Sequence, residues 1–371
     1  MKFISNNNAI YRFRKRSFSY YFVFIAYLHL NMIARLNYMY NFFLSFVVLT
    51  NFLLIQSVRA ETWVLPPPDI DIFGQIRTTQ ASRTETLLDI ARQYDIGQIE
   101  ILLANPAVDR WLPEDGATVI LPSRYIIPQG ERKGLLLNLP EMRIYYFPEP
   151  KKGEKPIIIT HPVGIGRMDW VTPLGISKIV EKKKDPSWIP PKSLQMDRIA
   201  NGEPPYPSIV PPGPTNPLGR HAMRLSIGSG SYLIHGTIKP FGVGMRVSAG
   251  CVRMYPEDIE ALFDKVPIGT QVQIVNQPIK LGWLLGSLFI ELHPPLEEDQ
   301  EKYSNYRSIV VAAVNDFLAR DSSKRNISED FEIDPEALQQ AIHDKSGMPT
   351  LISRSRSQNQ LHTQNDKSRL N

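Results

Sequence analysis

The sequence predicts a mainly β domain at its centre, preceded by a small α+β module and followed by a partly helical extension. Three observations carry this. Short apolar runs of strand length, punctuated by Gly, Pro and Asn, recur between residues 133 and 276. A strand–helix–helix–strand order occupies residues 74–124 just before them. Longer helical text returns beyond residue 303.

The first 60 residues hold seven Lys and Arg and no acid. The uncharged apolar run 41–57 ends in Val58-Arg59-Ala60, with small residues at the two positions a signal peptidase reads. It reads as a secretory signal peptide cut after Ala60, which would place the protein in the periplasm. An uncleaved inner-membrane anchor is the alternative. A second apolar run, 19–30, follows the basic patch Arg12 to Arg16, and Met32 makes the better start, so residues 1–31 read as an over-extended gene start. The overall net charge of +5 rests on this leader. Removing its seven bases from the 42 leaves 35 against 37 acids, a net of −2 for the remainder. No general basic field for nucleic acid is left.

Residues 61–73, with Pro66-Pro67-Pro68, read as a linker. In the module 74–124, a strand is expected at 75–78. Leu87, Ile90 and Tyr94 then recur at helical spacing, a second helix covers 99–104 and stops at Asn105-Pro106, and a strand at 118–121 closes the unit before Pro122. The proline-marked stretch 122–128 suggests a separable module.

In the central domain, 135–139 and 143–147 read as a hairpin, and 156–160, 177–181, 223–225, 232–235 and 270–275 as further strands. The ten prolines between 182 and 220 argue against central strands or helices there and suggest a long loop walling a cleft. A helix is expected at 256–263 behind Pro256. The extension 277–352 contains an apolar run, 281–292, and helical text at 303–320 and 335–343, and the polar segment 353–371 reads as a disordered tail.

One residue draws attention to chemistry. Cys251 is the only cysteine of the chain and cannot form an internal disulfide. A thiol is mostly protonated at neutral pH and becomes a nucleophile when a nearby base takes its proton. His235 lies sixteen residues upstream at the end of an apolar strand, and the glycine-rich text between them permits a tight return. Gly250 lets the backbone turn sharply before Cys251, so that adjacent N–H groups can form an oxyanion hole. A catalytic zinc is not expected. His161, His221 and His235 are far apart in sequence, no His-Glu-x-x-His spacing occurs, and no cofactor is called for.

The string His235-Gly236, then Ser248-x-Gly250-Cys251-Val252-Arg253, resembles the L,D-transpeptidase (YkuD-like) catalytic domain. Val163-Gly164-x-Gly166, Thr172-Pro173-x-Gly175, Asp185-Pro186-x-Trp188 and Asn216-Pro217-Leu218-Gly219 are similar to further stretches of that family. Where the family commonly has His before Gly-Cys, this chain has Ala249. The resemblance implies a β-sandwich-like fold. It also implies a cysteine acyl-enzyme formed on a peptidoglycan tetrapeptide stem, with release of the terminal D-Ala. The acceptor would be an amine of a second stem, of a D-amino acid or of an outer-membrane lipoprotein lysine, or water in the carboxypeptidase variant. It implies Cys251 and His235 as catalytic. Gly236, Ser248, Ala249 and Gly250 shape the site, and Arg253 and Arg246 are candidates for substrate carboxylates. The segment Thr86-Leu87-x-x-Ile90-Ala91-x-x-Tyr94, Ile101-Leu102-x-x-Asn105-Pro106, Val119-Ile120-Leu121-Pro122 resembles the LysM module, which implies glycan binding. It departs at Thr84-Glu85, where that family has Gly-Asp.

Overall fold

The computed structural model describes residues 62–168, 170–228, 232–321 and 331–355. The expectations for residues 1–60 and for 356–371 lie outside the described residues.

Nine strands form one curled sheet in the order Thr62–Val64, Ile157–Pro162, Arg143–Phe147, Gly134–Asn138, Gln271–Val275, Gly175–Lys184, His221–Leu225, Leu233–His235, Val252–Arg253. Neighbours are antiparallel except at two places. Gln271–Val275 runs parallel to Gly134–Asn138, and Leu233–His235 runs parallel to Val252–Arg253. The curl has a local cause. The ten-residue strand Gly175–Lys184 pairs with Gln271–Val275 through its first four residues and with His221–Leu225 through the rest, and its register shifts between Ile179 and Glu181. A bulge of this kind bends a strand and lets it serve two neighbours. The main core packs against the sheet through Leu135, Leu137, Ile144, Ile179, Met223 and Ile234. The helix Pro256–Lys265 closes it with Ile259, Leu262 and Phe263, the face expected from their spacing.

The small module consists of the antiparallel pair Arg77–Gln80 and Thr118–Leu121 with helices Leu87–Gln93 and Gln98–Ala104. Leu87, Ile90, Ile96, Ile101, Val119 and Leu121 make its core. Thr86 caps the first helix by accepting from Asp89 N–H. Asn105 explains the stop after the second helix. Its Nδ2 donates to the carbonyls of Ile101 and Ile120, both at 2.8 Å, and its Oδ1 accepts from Ile120 N–H at 2.7 Å.

Three expectations change before residue 278. The segment 61–73 is not a free linker, because Thr62–Val64 adds an edge strand to the central sheet and Ile72–Gly74 pairs with Arg124–Ile126. The module is not loosely tethered. Arg143 of the sheet reaches Glu100 with Nε and Nη2 at 2.8 and 2.9 Å, in a pair exposed by only 1% and 9%. Arg92 likewise grips Glu257 at 2.8 and 3.1 Å. The proline-dense stretch contains a helix, Lys192–Ala200, starting straight after Pro191. Proline flanks this helix at 190–191 and 204–205 and does not interrupt it.

The extension has its own core. The apolar run folds as the hairpin Ile279–Leu284 and Ser287–Leu292, joined by Thr350–Leu351, and helices Tyr306–Asp321 and Pro335–Asp344 pack on it through Val310, Val314, Phe317 and Leu338. Residues 353–355, expected to be disordered, pair with Phe331–Ile333. Fully buried Lys280 fastens the extension to the central sheet, with Nζ 2.8 Å from Glu141 and 2.5 Å from Glu291.

Candidate active site

A cleft of about 740 Å³ opens on the strands Leu233–His235 and Val252–Arg253. Strand alternation decides what faces it. Ile234 and Val252 are buried in the core at 0% and 1%, so their neighbours Leu233, His235, Cys251 and Arg253 point the other way and line the cleft. The pairing of Ile234 with Val252 and of His235 with Arg253 sets the two segments side by side. Ser248, Ala249 and Gly250 line the same cleft, and Trp170, Trp188 and Tyr232 complete its walls.

The turn that carries Cys251 is fixed by two hydroxyls. Ser248 Oγ donates to the Cys251 carbonyl at 2.5 Å, and Thr172 Oγ1 donates to the Gly250 carbonyl at 3.0 Å while accepting from Gly166 N–H at 3.2 Å. Gly250 has φ +93°, and a Cβ there would lie 2.9 Å from the Tyr232 ring. Glycine is therefore required on both counts. The site role of Thr172 was missed at the sequence level. Its Thr-Pro-x-Gly motif was visible, but nothing in it indicates a bond to a residue 78 positions away.

His235 is buried, and its Nδ1 lies 2.5 Å from the Gly236 carbonyl, with the Leu218 backbone also bonding the ring. A carbonyl can only accept, so Nδ1 carries the proton and Nε2 keeps its lone pair. Burial, reinforced by the charge of Arg253, lowers the His235 pKa to about 4. Cys251 is half-buried. Burial pushes its thiol pKa up, against a backbone hydrogen bond from Leu233 and the charge of Arg253. The resting pair is thus neutral thiol and neutral imidazole. Arg253 has a buried Nε without a partner and no ion pair among the described residues. Burial lowers its pKa, and its charge is felt at both neighbours.

Arg246, expected to hold a substrate carboxylate, does not line the cleft. Its guanidinium forks onto Glu298 of the extension at 2.7 and 3.1 Å and bonds the Gly166 carbonyl at 3.1 Å. His221 packs on Phe263, ring centroids 4.8 Å apart, and His161 lies in a separate buried cluster, so the three histidines weighed for a metal do not meet.

Residues 132–274 match the family model YkuD, the L,D-transpeptidase catalytic domain. The Escherichia coli K12 protein named Probable L,D-transpeptidase YcfS is 33% identical over 305 residues, covering 81% of this chain and 91% of its own length. The chain belongs to the L,D-transpeptidase family. Two further E. coli K12 relatives are similar at comparable levels. Probable L,D-transpeptidase YbiS is 36% identical over 302 residues (80% and 94% of the two chains), and Probable L,D-transpeptidase ErfK/SrfK is 35% identical over 313 (82% and 96%). These alignments are about twice as long as the catalytic match, so this L,D-transpeptidase shares more with them than its catalytic domain.

Proposed function

We propose that the chain is a cell-wall L,D-transpeptidase that works through a Cys251 thioester on peptidoglycan tetrapeptide stems. The observation that carries this reading is the shared cleft face of His235 and Cys251 on adjoining strands, with the imidazole in the tautomer a general base needs. His235 Nε2 takes the thiol proton as Sγ attacks the carbonyl at the L-centre of diaminopimelate. The C–N bond to the terminal D-Ala breaks, and His235 returns that proton to the leaving amine. An incoming amine then attacks the thioester, loses its proton to His235 and leaves Cys251 as a thiol. Main-chain N–H groups of the 249–251 turn, held by Ser248 and Thr172, support the oxyanion. Arg253, whose Nε has no partner among the described residues, is the residue suited to a stem carboxylate.

The small module serves as the glycan-binding part and peptidoglycan as the polymer partner. Periplasmic export through residues 1–60 and a lipoprotein lysine as acceptor belong to the same proposal. Incubation with disaccharide-tetrapeptide, with products resolved by mass, tests it. A crosslinked dimer with free D-Ala is the expected outcome. Tripeptide alone means that water is the acceptor and the enzyme is a carboxypeptidase, and unchanged tetrapeptide refutes the reading.

A further inference from the structure

Outside the lining of the cleft, three ionisable side chains from distant segments converge. Asp95 follows the first helix of the small module, His161 lies on the strand Ile157–Pro162, and Asp258 lies in the first turn of the helix Pro256–Lys265. His161 Nδ1 is 3.1 Å from Asp95 Oδ2 and 3.4 Å from Asp258 Oδ1, and none of the three side chains is more than 3% exposed. One nitrogen faces two carboxylates, and its single hydrogen cannot serve both fully. The outer oxygens, Asp95 Oδ1 and Asp258 Oδ2, and His161 Nε2 are buried with no hydrogen-bond partner among the described residues. The charged and polar groups packed around them are engaged elsewhere. Arg143 is forked onto Glu100 and donates also to the Asp95 carbonyl and to Thr160 Oγ1, Arg92 is forked onto Glu257, and the Tyr255 hydroxyl donates to the Ile96 carbonyl. Two buried carboxylates therefore share one imidazole, and such groups normally pair fully or hold a metal.

A divalent ion resolves this arrangement. It neutralises both carboxylates and binds their inner oxygens, Asp95 Oδ2 and Asp258 Oδ1, together with Nδ1 of a neutral imidazole. Zinc bonds of about 2.0–2.2 Å in a tetrahedron place adjacent ligand atoms roughly 3.3 Å apart. The 3.1 and 3.4 Å separations fall on either side of that value, and all three donors lie within 4.8 Å of one another. We propose that Asp95, His161 and Asp258 form a buried structural site for a zinc-type divalent cation, which bolts the small module to the helix that follows Cys251. The inference does not depend on the proposed reaction. It also differs from the zinc weighed in the sequence, since two of its three ligands are aspartates and the site lies away from the cleft.

The test uses the full chain and Zn²⁺ alone as the probe. Protein treated with a chelator, dialysed and returned to zinc is expected to retain about one ion per chain by elemental mass spectrometry. Its melting temperature is expected to rise by roughly 5 °C or more. Cys251→Ala should keep the ion, while His161→Gln and Asp258→Asn should lose it. If those variants fail to fold, anomalous scattering at the zinc edge from wild-type crystals locates the ion without them. Absence of retained zinc together with an unchanged melting temperature overturns the proposal and leaves a proton-shared triad. Zinc that disappears in Cys251→Ala also overturns it, by placing the ion on the cleft thiol.

Discussion

A buried, neutral imidazole and a half-buried thiol that keeps its proton make a resting pair unlike a preformed thiolate–imidazolium. The difference is measurable. With the His235 pKa lowered to about 4, the base stays competent well below the ordinary imidazole range. The acid limb of kcat/KM is expected near pH 4, and a limb between 6 and 7 would contradict the neutral-pair account. Stability follows with a definite sign. Folded His235 stays neutral down to about pH 4, whereas the unfolded chain protonates it below about pH 6.5. In that window the unfolded state binds more protons, so stability falls as pH falls from 6.5 toward 4 and levels off below. His235→Asn should flatten that slope in denaturant titrations. Thr172 is the second test at this scale. Thr172→Val removes a donor to the Gly250 carbonyl and an acceptor for Gly166 N–H while keeping the shape. A displaced turn should lower kcat by roughly 10–100-fold with KM little changed. Thr172→Ser should restore kcat, and a valine variant with wild-type kcat would show that the hydroxyl positions nothing.

Among the elements, what could be read from the sequence divides by range. His235 and Cys251 lie sixteen residues apart with glycines between, so the strand ending at His235 and the turn at Gly250 could be inferred from local text, whereas the two-residue strand Val252–Arg253 could not. The helices of the small module and the hairpin at residue 134 were legible for the same reason, because periodicity and turn residues act over a few positions. Partners distant in sequence were not. Arg246 looked like a substrate ligand because nothing near it announces Glu298, 52 residues on. The small module looked separable because Arg143 and Glu100 are 43 residues apart, and Arg92 and Glu257 are 165 apart. Proline density misled about Lys192–Ala200, where the prolines bracket a helix and do not break it. The module's attachment yields a prediction. Glu100→Gln leaves Arg143 buried beside a neutral partner, and breaking a buried pair this way destabilises by about 3–5 kcal/mol. A change below about 1 kcal/mol in urea unfolding would show that the contact does not hold the module in place.

Across the whole molecule, one sheet supports three jobs. It presents Cys251 and His235 to a cleft, it receives Thr62–Val64 at one edge and the small module through Arg143, and the turn before Arg143–Phe147 holds the extension through Glu141 and Lys280. Glu298 of that extension also grips Arg246, whose strand Arg246–Ser248 leads into the nucleophile turn, so the extension braces the site without lining it. All of this organisation serves one chemical claim, that Cys251 becomes acylated. Intact-protein mass spectrometry tests it most directly. Wild-type protein mixed briefly with disaccharide-tetrapeptide is expected to gain the mass of the substrate minus one alanine, with the adduct mapped to Cys251 and absent from Cys251→Ala. An adduct that persists in a folded Cys251→Ala protein, or turnover without any adduct on Cys251, would contradict the account.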